Sequence, residues 1–250
     1  MTTRRAIVQL RGPGTASAPD ELAVEAPLTL SLDDDVLAVL MRTPGHDLEL
    51  AAGWLVAESG VGRPDDITGM QASREGDAVR VSLRTGVTPP RSRAFVTSAS
   101  CGVCSADVMT LLPAPDAVLH APGWHIDRGV LARLPDAMRR RQRAFDRTGG
   151  LHAATLATAD GELGAVREDV GRHNAVDKVI GRALFDGALP ATDRLLVVSG
   201  RVSFEIVQKA LAAGCAGVAA VSAPSSLAVD LARTFGLLAA RDQATSSGSE

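Results

Sequence analysis

Two cysteines three residues apart, Cys101 and Cys104, are the residues of this sequence best suited to chemistry. A C-x-x-C pair in a reduced compartment can bind a metal ion, cycle through a disulfide or carry sulfur. The pair follows a predicted strand over 94–97 and leads into a predicted helix capped by Ser105. Because the unpaired N–H groups of a helix start stabilise a thiolate, this position favours a reactive cysteine. We therefore predict a nucleophilic or sulfur-carrying thiol.

Two other interpretations of the cysteine pair stay open. A zinc site needs two more ligands, and the candidates His152, His173 and Cys215 lack the spacing of a second metal-binding pair. A thioredoxin-like redox motif is expected in a shorter chain, at the first helix of a βαβ unit. Cys215 lies in an apolar run after a predicted helix, so we predict that it is an inert core residue.

A polar segment between a predicted strand and a predicted helix holds Arg172 and His173. The guanidinium group and the free N–H groups of the helix start can hold an anion. The imidazole can shuttle a proton or orient a thiol. A solvated loop with a helix cap at Asn174 is the plainer alternative.

Two turns follow the buried strands predicted over 195–198 and 218–221. Since carboxyl ends of parallel strands share one sheet edge, where open α/β sheets bind ligands, we expect these turns to be neighbours. Gly200 lets the backbone approach a ligand, the Arg201 guanidinium offers paired N–H donors, and the serines of both turns offer hydroxyl groups. The turns therefore predict a phosphate or pyrophosphate site, with ordinary helix caps as the alternative. The residues concerned are Ser199, Gly200, Arg201, Ser222 and Ser225.

An arginine-rich segment runs from Arg128 to Arg147. It carries seven arginines against two aspartates, a local net charge of +5. A solvated helix face is the default interpretation, and a docking surface for an acidic partner or an anionic cofactor is the alternative.

The order of predicted elements indicates an α/β protein with a layered main domain and a smaller N-terminal α/β portion. Alternating strands and helices between 195 and 235 predict parallel pairing with right-handed crossovers. The predicted divisions are a flexible lead-in over 1–20, an N-terminal portion over 21–112 that ends in the cysteine loop and helix, a connector with the arginine-rich helix over 113–148, the main domain over 149–241 and a disordered tail over 242–250.

Composition excludes several classes of protein. The 250 residues are 46% hydrophobic and 22% charged, which is typical of a globular chain. Aromatic residues make up 3%, Tyr is absent and the net charge is −3, so a nucleic-acid partner is not expected. We identify no secretion signal and no membrane span, and the odd number of cysteines then predicts reduced thiols in the cytoplasm.

Several ordered motifs make the chain resemble the formate dehydrogenase accessory sulfurtransferase family, FdhD. The most specific is the string E-D-V-G-R-H-N-A-V-D-K over 168–178. The others are C-G-V-C over 101–104, T-G-G-L-H-A-A over 148–154, and shorter matches at 25–28, 41–45, 199–201 with Glu205, and 222–225.

This resemblance implies a cytidine-deaminase-like fold, a cytoplasmic homodimer and sulfur transfer. Sulfur would pass as a persulfide from a cysteine desulfurase to the bis-molybdopterin guanine dinucleotide cofactor of formate dehydrogenase. Cys101 would carry the persulfide with Cys104 as its helper, and the predicted phosphate site would bind the guanine dinucleotide arm without a tightly bound metal. A non-catalytic zinc- or cofactor-binding chaperone of a molybdoenzyme is the alternative. The zinc deaminase signature is absent from the sequence, so deaminase chemistry is not implied.

The sequence departs from the family pattern at two places. The usual C-G-x-C-G ends here in Ser105. Family members also close with an F-x-R strand that contributes to cofactor binding, whereas residues 237–242 read L-L-A-A-R-D. We expect that closing strand to be missing, with Arg241 in place of the family's arginine.

Overall fold

The structure, a computed structural model, describes residues 1–11, 14–90, 96–97 and 122–241. It begins with an antiparallel hairpin of β1 (Thr2–Arg11) and β2 (Gly14–Ala23). This hairpin corrects the expectation of a loose lead-in over 1–20. The two strands pair continuously, from Thr2 opposite Ala23 to Arg11 opposite Gly14. The Glu21 carboxylate accepts from the Thr2 hydroxyl at 2.6 Å and lies 3.3 Å from Arg147 Nε. These polar contacts hold a segment that has few apolar residues.

A mixed sheet follows the hairpin, in the order β5-β6-β3-β4-β7. The sequence pattern indicates a strand over 28–32 and a hairpin over 72–83, and both segments belong to this sheet. β4, which follows the Asp33–Asp34 turn, was not predicted. The elements of this sheet, with the helix and the turn between its strands, are β3 (Ala26–Leu32), β4 (Asp35–Arg42), helix α1 (Asp47–Ser59), a 3₁₀ turn (Pro64–Asp66), β5 (Ile67–Ala72), β6 (Ala78–Leu83) and β7 (Val96–Thr97).

The second sheet has the order β12-β11-β10-β8-β9. β10, β11 and β12 are parallel, as the strand–helix alternation predicts, and β8 runs antiparallel to both of its neighbours. Its elements, with the helices that cover it, are α2 (Arg128–Arg139), α3 (Arg143–Thr148), β8 (His152–Ala157), β9 (Arg167–Asp169), α4 (Arg172–Phe185), β10 (Leu195–Val198), α5 (Phe204–Ala212), β11 (Gly217–Ala220), α6 (Ser226–Thr234) and β12 (Leu238–Arg241).

The closing strand is present, so the expectation that it is missing is wrong. β12 pairs with β11 from Leu238 opposite Gly217 to Arg241 opposite Ala220. Leu238 and Ala239 are exposed on this edge strand. A strand that pairs through its backbone and buries little side-chain surface does not need the phenylalanine of the family pattern.

Two hydrophobic cores lie on opposite faces of the second sheet. The larger one fills the space between the two sheets and takes in α1, α4, α5 and α6. The smaller one lies under α2, where Leu134 and Met138 pack on Leu195 and Val197 of β10. None of the helices in the described part of the chain is long and apolar enough to cross a membrane.

The helices α1 and α4 touch through their backbones, because each carries a glycine at the crossing. A Cβ atom at Gly53 would lie 1.8 Å from the carbonyl oxygen of Asp177, and one at Gly181 would lie 1.8 Å from that of Glu49. Both distances are far shorter than any van der Waals contact. The two sheets are therefore joined by a helix pair that has no room for side chains at its centre.

Candidate functional site

The two predicted turns meet at the carboxyl edge of the second sheet. β10 and β11 end side by side, and a parallel bridge joins Val202 of the first turn to Pro224 of the second. The backbone N–H of Ser225 also donates to the carbonyl of Val202 at 3.0 Å. Arg241 ends β12 at the same edge. The structure thus brings together the groups that the sequence predicted to be neighbours.

Part of the E-D-V-G-R-H-N-A-V-D-K string is a buried structural network. Asp169 and Lys178 are fully buried, with Lys178 Nζ 2.6 Å from Asp169 Oδ2. The same carboxylate accepts from the backbone N–H of Thr43 at 3.1 Å and of Gly171 at 2.8 Å, and from Asn174 Nδ2 at 3.0 Å. The network fixes the turn before α4 against the end of β4, which corrects the interpretation of this segment as a solvated loop capped by Asn174.

A second buried pair ties α4 to α5. Lys209 Nζ lies 2.7 Å from Asp177 Oδ1, and both side chains are buried. Burial raises the pKa of the Asp177 carboxyl, while the neighbouring Lys209 ammonium acts in the opposite direction. Like the first pair, it stabilises the position of α4 rather than facing a ligand.

The first two residues of α4, Arg172 and His173, face the sheet edge instead. His173 Nε2 lies 2.7 Å from a carboxylate oxygen of Glu205 and 3.3 Å from the hydroxyl of Ser203. The hydrogen bond from His173 lowers the pKa of Glu205. Arg172 Nε is buried and has no hydrogen-bond partner in the described part of the chain. The helix also begins at Gly171 without a side-chain cap, so an anion could satisfy both kinds of donor.

His152, the first residue of β8, packs beside this helix start. A Cβ atom at Gly200 would lie 3.3 Å from His152 Nδ1 and 3.6 Å from Arg172 Cβ, so glycine permits a close approach here. Burial lowers the pKa of His152, and the positive charges of Arg172, His173 and Arg201 lower it further. His152 is therefore neutral at neutral pH and can both donate and accept a hydrogen bond.

A cavity of about 640 Å³ opens at the same edge. This volume lies within the range of roughly 300–1,000 Å³ that is usual for small-molecule sites. Its lining includes His152 and Ser199, and Gly200 and Arg172 lie close to His152. The lining also includes residues of α2, of α3 and between them, among them Asp136, Arg139, Gln142 and Phe145.

Comparison with known proteins identifies the family. The model of the FdhD/NarQ family matches residues 23–241. The chain belongs to the FdhD/NarQ family. A protein of Streptomyces avermitilis named sulfur carrier protein FdhD is 46% identical, over 95% of this chain and 89% of its own. A protein of the same name from Sulfolobus acidocaldarius is 39% identical, over 88% of this chain and 85% of its own.

A solved structure supports the fold of this FdhD/NarQ chain. The "putative formate dehydrogenase accessory protein" of Desulfotalea psychrophila superposes with a TM-score of 0.75 at 21% identity, covering 95% of this chain and 91% of that one. The predicted α/β class is confirmed. The more specific cytidine-deaminase-like layering stays a prediction.

Of the predicted site residues discussed next, one lines the cavity, one caps a helix and three lie at the sheet edge. Ser199 lines the cavity, and its hydroxyl accepts from the Ala153 N–H at 2.8 Å. Ser225 caps α6 by accepting from Ala228 N–H at 3.3 Å, which is the plainer role that the sequence left open. Arg201 and Arg241 are exposed at the edge, with Ser222 half-buried beside them. Their ligand-binding roles stay predictions.

Cys101 and Cys104 lie outside the described residues, so their predicted roles stay predictions. Cys215 precedes β11 at the opposite edge of the sheet from His152 and His173 and is fully buried, and burial raises its thiol pKa to about 12. The prediction of a core residue is confirmed, and Cys215 does not join these histidines as a ligand. Among the described residues, no three His, Cys, Asp or Glu side chains are grouped to hold a metal ion.

Sequence reasoning missed most of the cavity lining. His152 was considered only as a zinc ligand, although the T-G-G-L-H-A-A motif pointed to its segment. Asp136, Gln142 and Phe145 were not singled out within the arginine-rich segment. No motif marks them, because their common position depends on how α2 and α3 fold over the sheet edge.

Proposed function

We propose that this protein is a sulfurtransferase that carries persulfide sulfur from a cysteine desulfurase to the bis-molybdopterin guanine dinucleotide cofactor of formate dehydrogenase. Its relatives at 39–46% identity are named sulfur carrier proteins, and the sequence retains the C-x-x-C pair. The observation that carries the proposal is the cavity at the sheet edge, whose lining residue His152 lies close to Arg172. A thiol carrier needs such a site to hold its acceptor.

The hydrogen-bond donors of the proposed acceptor site suit the diphosphate group of a nucleotide. Among the residues that the structure describes, Arg172 Nε has no acceptor and the start of α4 has no side-chain cap, and Gly200 leaves room for close approach. Arg201 and Arg241 would add positive charge at the rim. Neutral His152 would hydrogen-bond the ligand from the cavity wall. When bound, the molybdenum cofactor would accept the transferred sulfur as a ligand of its metal.

Each cysteine thiolate is the nucleophile in one step of the proposed sulfur transfer. The Cys101 thiolate attacks the terminal sulfur of the desulfurase persulfide, and the desulfurase thiolate leaves. The Cys104 thiolate then attacks the inner sulfur of the Cys101 persulfide, which forms a Cys101–Cys104 disulfide and releases hydrosulfide to the acceptor. A dithiol reductant restores both thiols.

The described end of β7 sets an upper limit on the distance between Thr97 and Cys101. β7 runs parallel to β4, with Thr97 opposite Leu40, so it points toward the network that holds the start of α4. Four residues lead from Thr97 to Cys101, and four residues span at most about 14 Å. Covalent geometry therefore keeps Cys101 within about 14 Å of Thr97.

Complementation tests this function. The unmodified chain should restore formate dehydrogenase activity to cells that lack their own accessory protein. Cys101→Ala should abolish the rescue, because the proposed acceptor of the persulfide is gone, and Cys104→Ala should impair release. Rescue by Cys101→Ala at the level of the unmodified chain would refute the proposal.

Mass spectrometry tests the first chemical step separately. After incubation with a desulfurase and cysteine, the Cys101 peptide should gain about 32 Da, the mass of one sulfur atom. The Cys215 peptide is an internal control, because its buried thiol should gain nothing. We also propose a cytoplasmic homodimer, which light scattering after gel filtration would detect as twice the chain mass.

A further inference from the structure

A second cavity lies at the turn between α2 and α3 and takes up three of the seven arginines of the arginine-rich segment. Its volume is about 480 Å³, and its lining includes Arg140, Arg141 and Arg143. Along this turn the lining alternates, because Gln142 lines the sheet-edge cavity and its neighbours on either side line the second one. Among the described residues, none lines both cavities, so the two are distinct.

The three arginines of the second cavity are not neutralised by ion pairs. Two other arginines of the segment, Arg139 and Arg147, are held by carboxylates at 2.6 Å and 3.3 Å. No carboxylate in the ranges 1–11, 14–90 and 122–241 forms an ion pair with Arg140, Arg141 or Arg143. Like charges that are grouped around one space repel one another, and a bound anion relieves that repulsion.

Two other polar residues of the lining leave the second cavity positively charged. The carboxylate of Glu168 accepts from the backbone N–H groups of Ala144 at 2.9 Å and Phe145 at 2.7 Å, so it holds the start of α3. Burial and the positive charge of Arg167 lower the pKa of His46, which is therefore neutral at neutral pH. The side chains of the described lining thus carry three positive charges and one negative charge.

One of the three guanidinium groups is held in place before a ligand arrives. Arg141 Nη1 donates to the carbonyls of Leu163 at 3.0 Å and Gly164 at 3.3 Å, and Gly164 is itself part of the lining. A guanidinium has five N–H donors, so Arg141 keeps others for a ligand. The side chains of Arg140 and Arg143 donate to no residue that the structure describes. The cavity thus combines one anchored guanidinium with two that are free to bind.

A phosphate group suits this combination of charge and donors. It carries a charge of about −1.5 to −2 at neutral pH and accepts paired hydrogen bonds from guanidinium groups. That charge balances the net side-chain charge of the lining, and Met1, Ala165 and Val166 offer apolar surface beside it. We propose that the second cavity binds the phosphate group of a small molecule, either inorganic phosphate or a phosphate ester. This site is independent of the proposed sulfur transfer.

Titration of the full chain with inorganic phosphate at constant ionic strength, followed by NMR, tests this site. The backbone amide signals of Ala165 and Val166 should shift to saturation. The double variant Arg140→Gln/Arg143→Gln should weaken this binding at least about tenfold, because charge-assisted hydrogen bonds are lost. Both replaced side chains are exposed, so the fold should be unchanged. The matched control is Arg133→Gln, an exposed arginine of α2 outside both described linings, which should bind phosphate like the unmodified chain.

Two further probes identify the ligand. Glycerol phosphate that binds at least as tightly as inorganic phosphate indicates an ester, and weaker binding indicates free phosphate. The absence of saturable shifts at Ala165 and Val166 overturns the proposal, and so does equal phosphate binding by the double variant and the unmodified chain. An equal loss in Arg133→Gln also overturns it, because the effect would then be general charge screening. If a hexaglutamate peptide shifts these signals to saturation and phosphate does not, the surface binds an acidic peptide and the phosphate assignment is wrong.

Discussion

Replacement of Lys178 by methionine isolates the energetic role of the buried network before α4. Lys178→Met keeps most of the side-chain volume but leaves the Asp169 carboxylate buried without its counter-ion. Removing one partner of a buried ion pair costs about 3–5 kcal/mol of unfolding free energy. Because Asp169 keeps its hydrogen bonds from Thr43, Gly171 and Asn174, we expect the lower end, about 3 kcal/mol.

The same helix provides a matched control. Arg182 and Asp186 are also 2.6 Å apart, but both side chains are about half exposed. An exposed ion pair contributes little to stability, so Arg182→Met should change the unfolding free energy far less than Lys178→Met does. The two ion pairs have the same N–O distance but differ in burial. A comparison of the two variants therefore separates the effect of desolvation from that of ion pairing.

Urea unfolding at neutral pH, followed by circular dichroism, measures both variants. A loss of about 3 kcal/mol corresponds to a Tm lower by roughly 6–12 °C in a chain of this size. The double variant Asp169→Asn/Lys178→Met should lose at least about 1 kcal/mol less than the sum of its single changes. Equal small losses in Lys178→Met and Arg182→Met, or strict additivity in the double variant, would refute this reasoning.

Three further predictions concern other parts of the fold. Gly53→Ala should destabilise the chain by about 1–3 kcal/mol in urea unfolding, because overlap with the α4 backbone outweighs the helix propensity of alanine, whereas Gly129→Ala, which meets only flexible side-chain atoms, should be close to neutral. The hydrogen bond from His173 lowers the pKa of Glu205, so the stability advantage of the unmodified chain over Glu205→Gln should be present at neutral pH and shrink as pH falls below the ordinary glutamate value of 4.5; an advantage that stays constant into acid would contradict the assignment. Cys215 should resist alkylation in the native chain and react in urea, as peptide mapping would show; rapid native labelling would mean that its burial is not maintained in solution.

The sequence predicted the parallel part of the second sheet because its signals are local. Buried strands of four residues, serine-containing turns and helices stopped by glycine repeat twice between 195 and 236. The parallel order then requires the two turns to be neighbours. That order places Ser199 and Gly200 at the carboxyl edge of the sheet, where the structure has the cavity.

The missed features depend on contacts that are distant in sequence. The β1–β2 hairpin has little apolar periodicity and is held by polar contacts with α3, which propensity does not encode. α2 runs through Pro135 and ends at Arg139, although proline disfavours a helix interior. The polar residues Asp169 and Lys178 looked like loop residues because their burial arises only when β4 packs against the turn before α4.

The backbone contact between α1 and α4 makes the joint between the two sheets a fixed one. Sliding of packed helices needs side chains that can change rotamers, and Gly53 and Gly181 have none. The contact therefore opposes sliding of the two halves of the molecule past each other along this helix pair. A rearrangement at this joint would have to part the two helix backbones, because no side chains lie between them at the crossing.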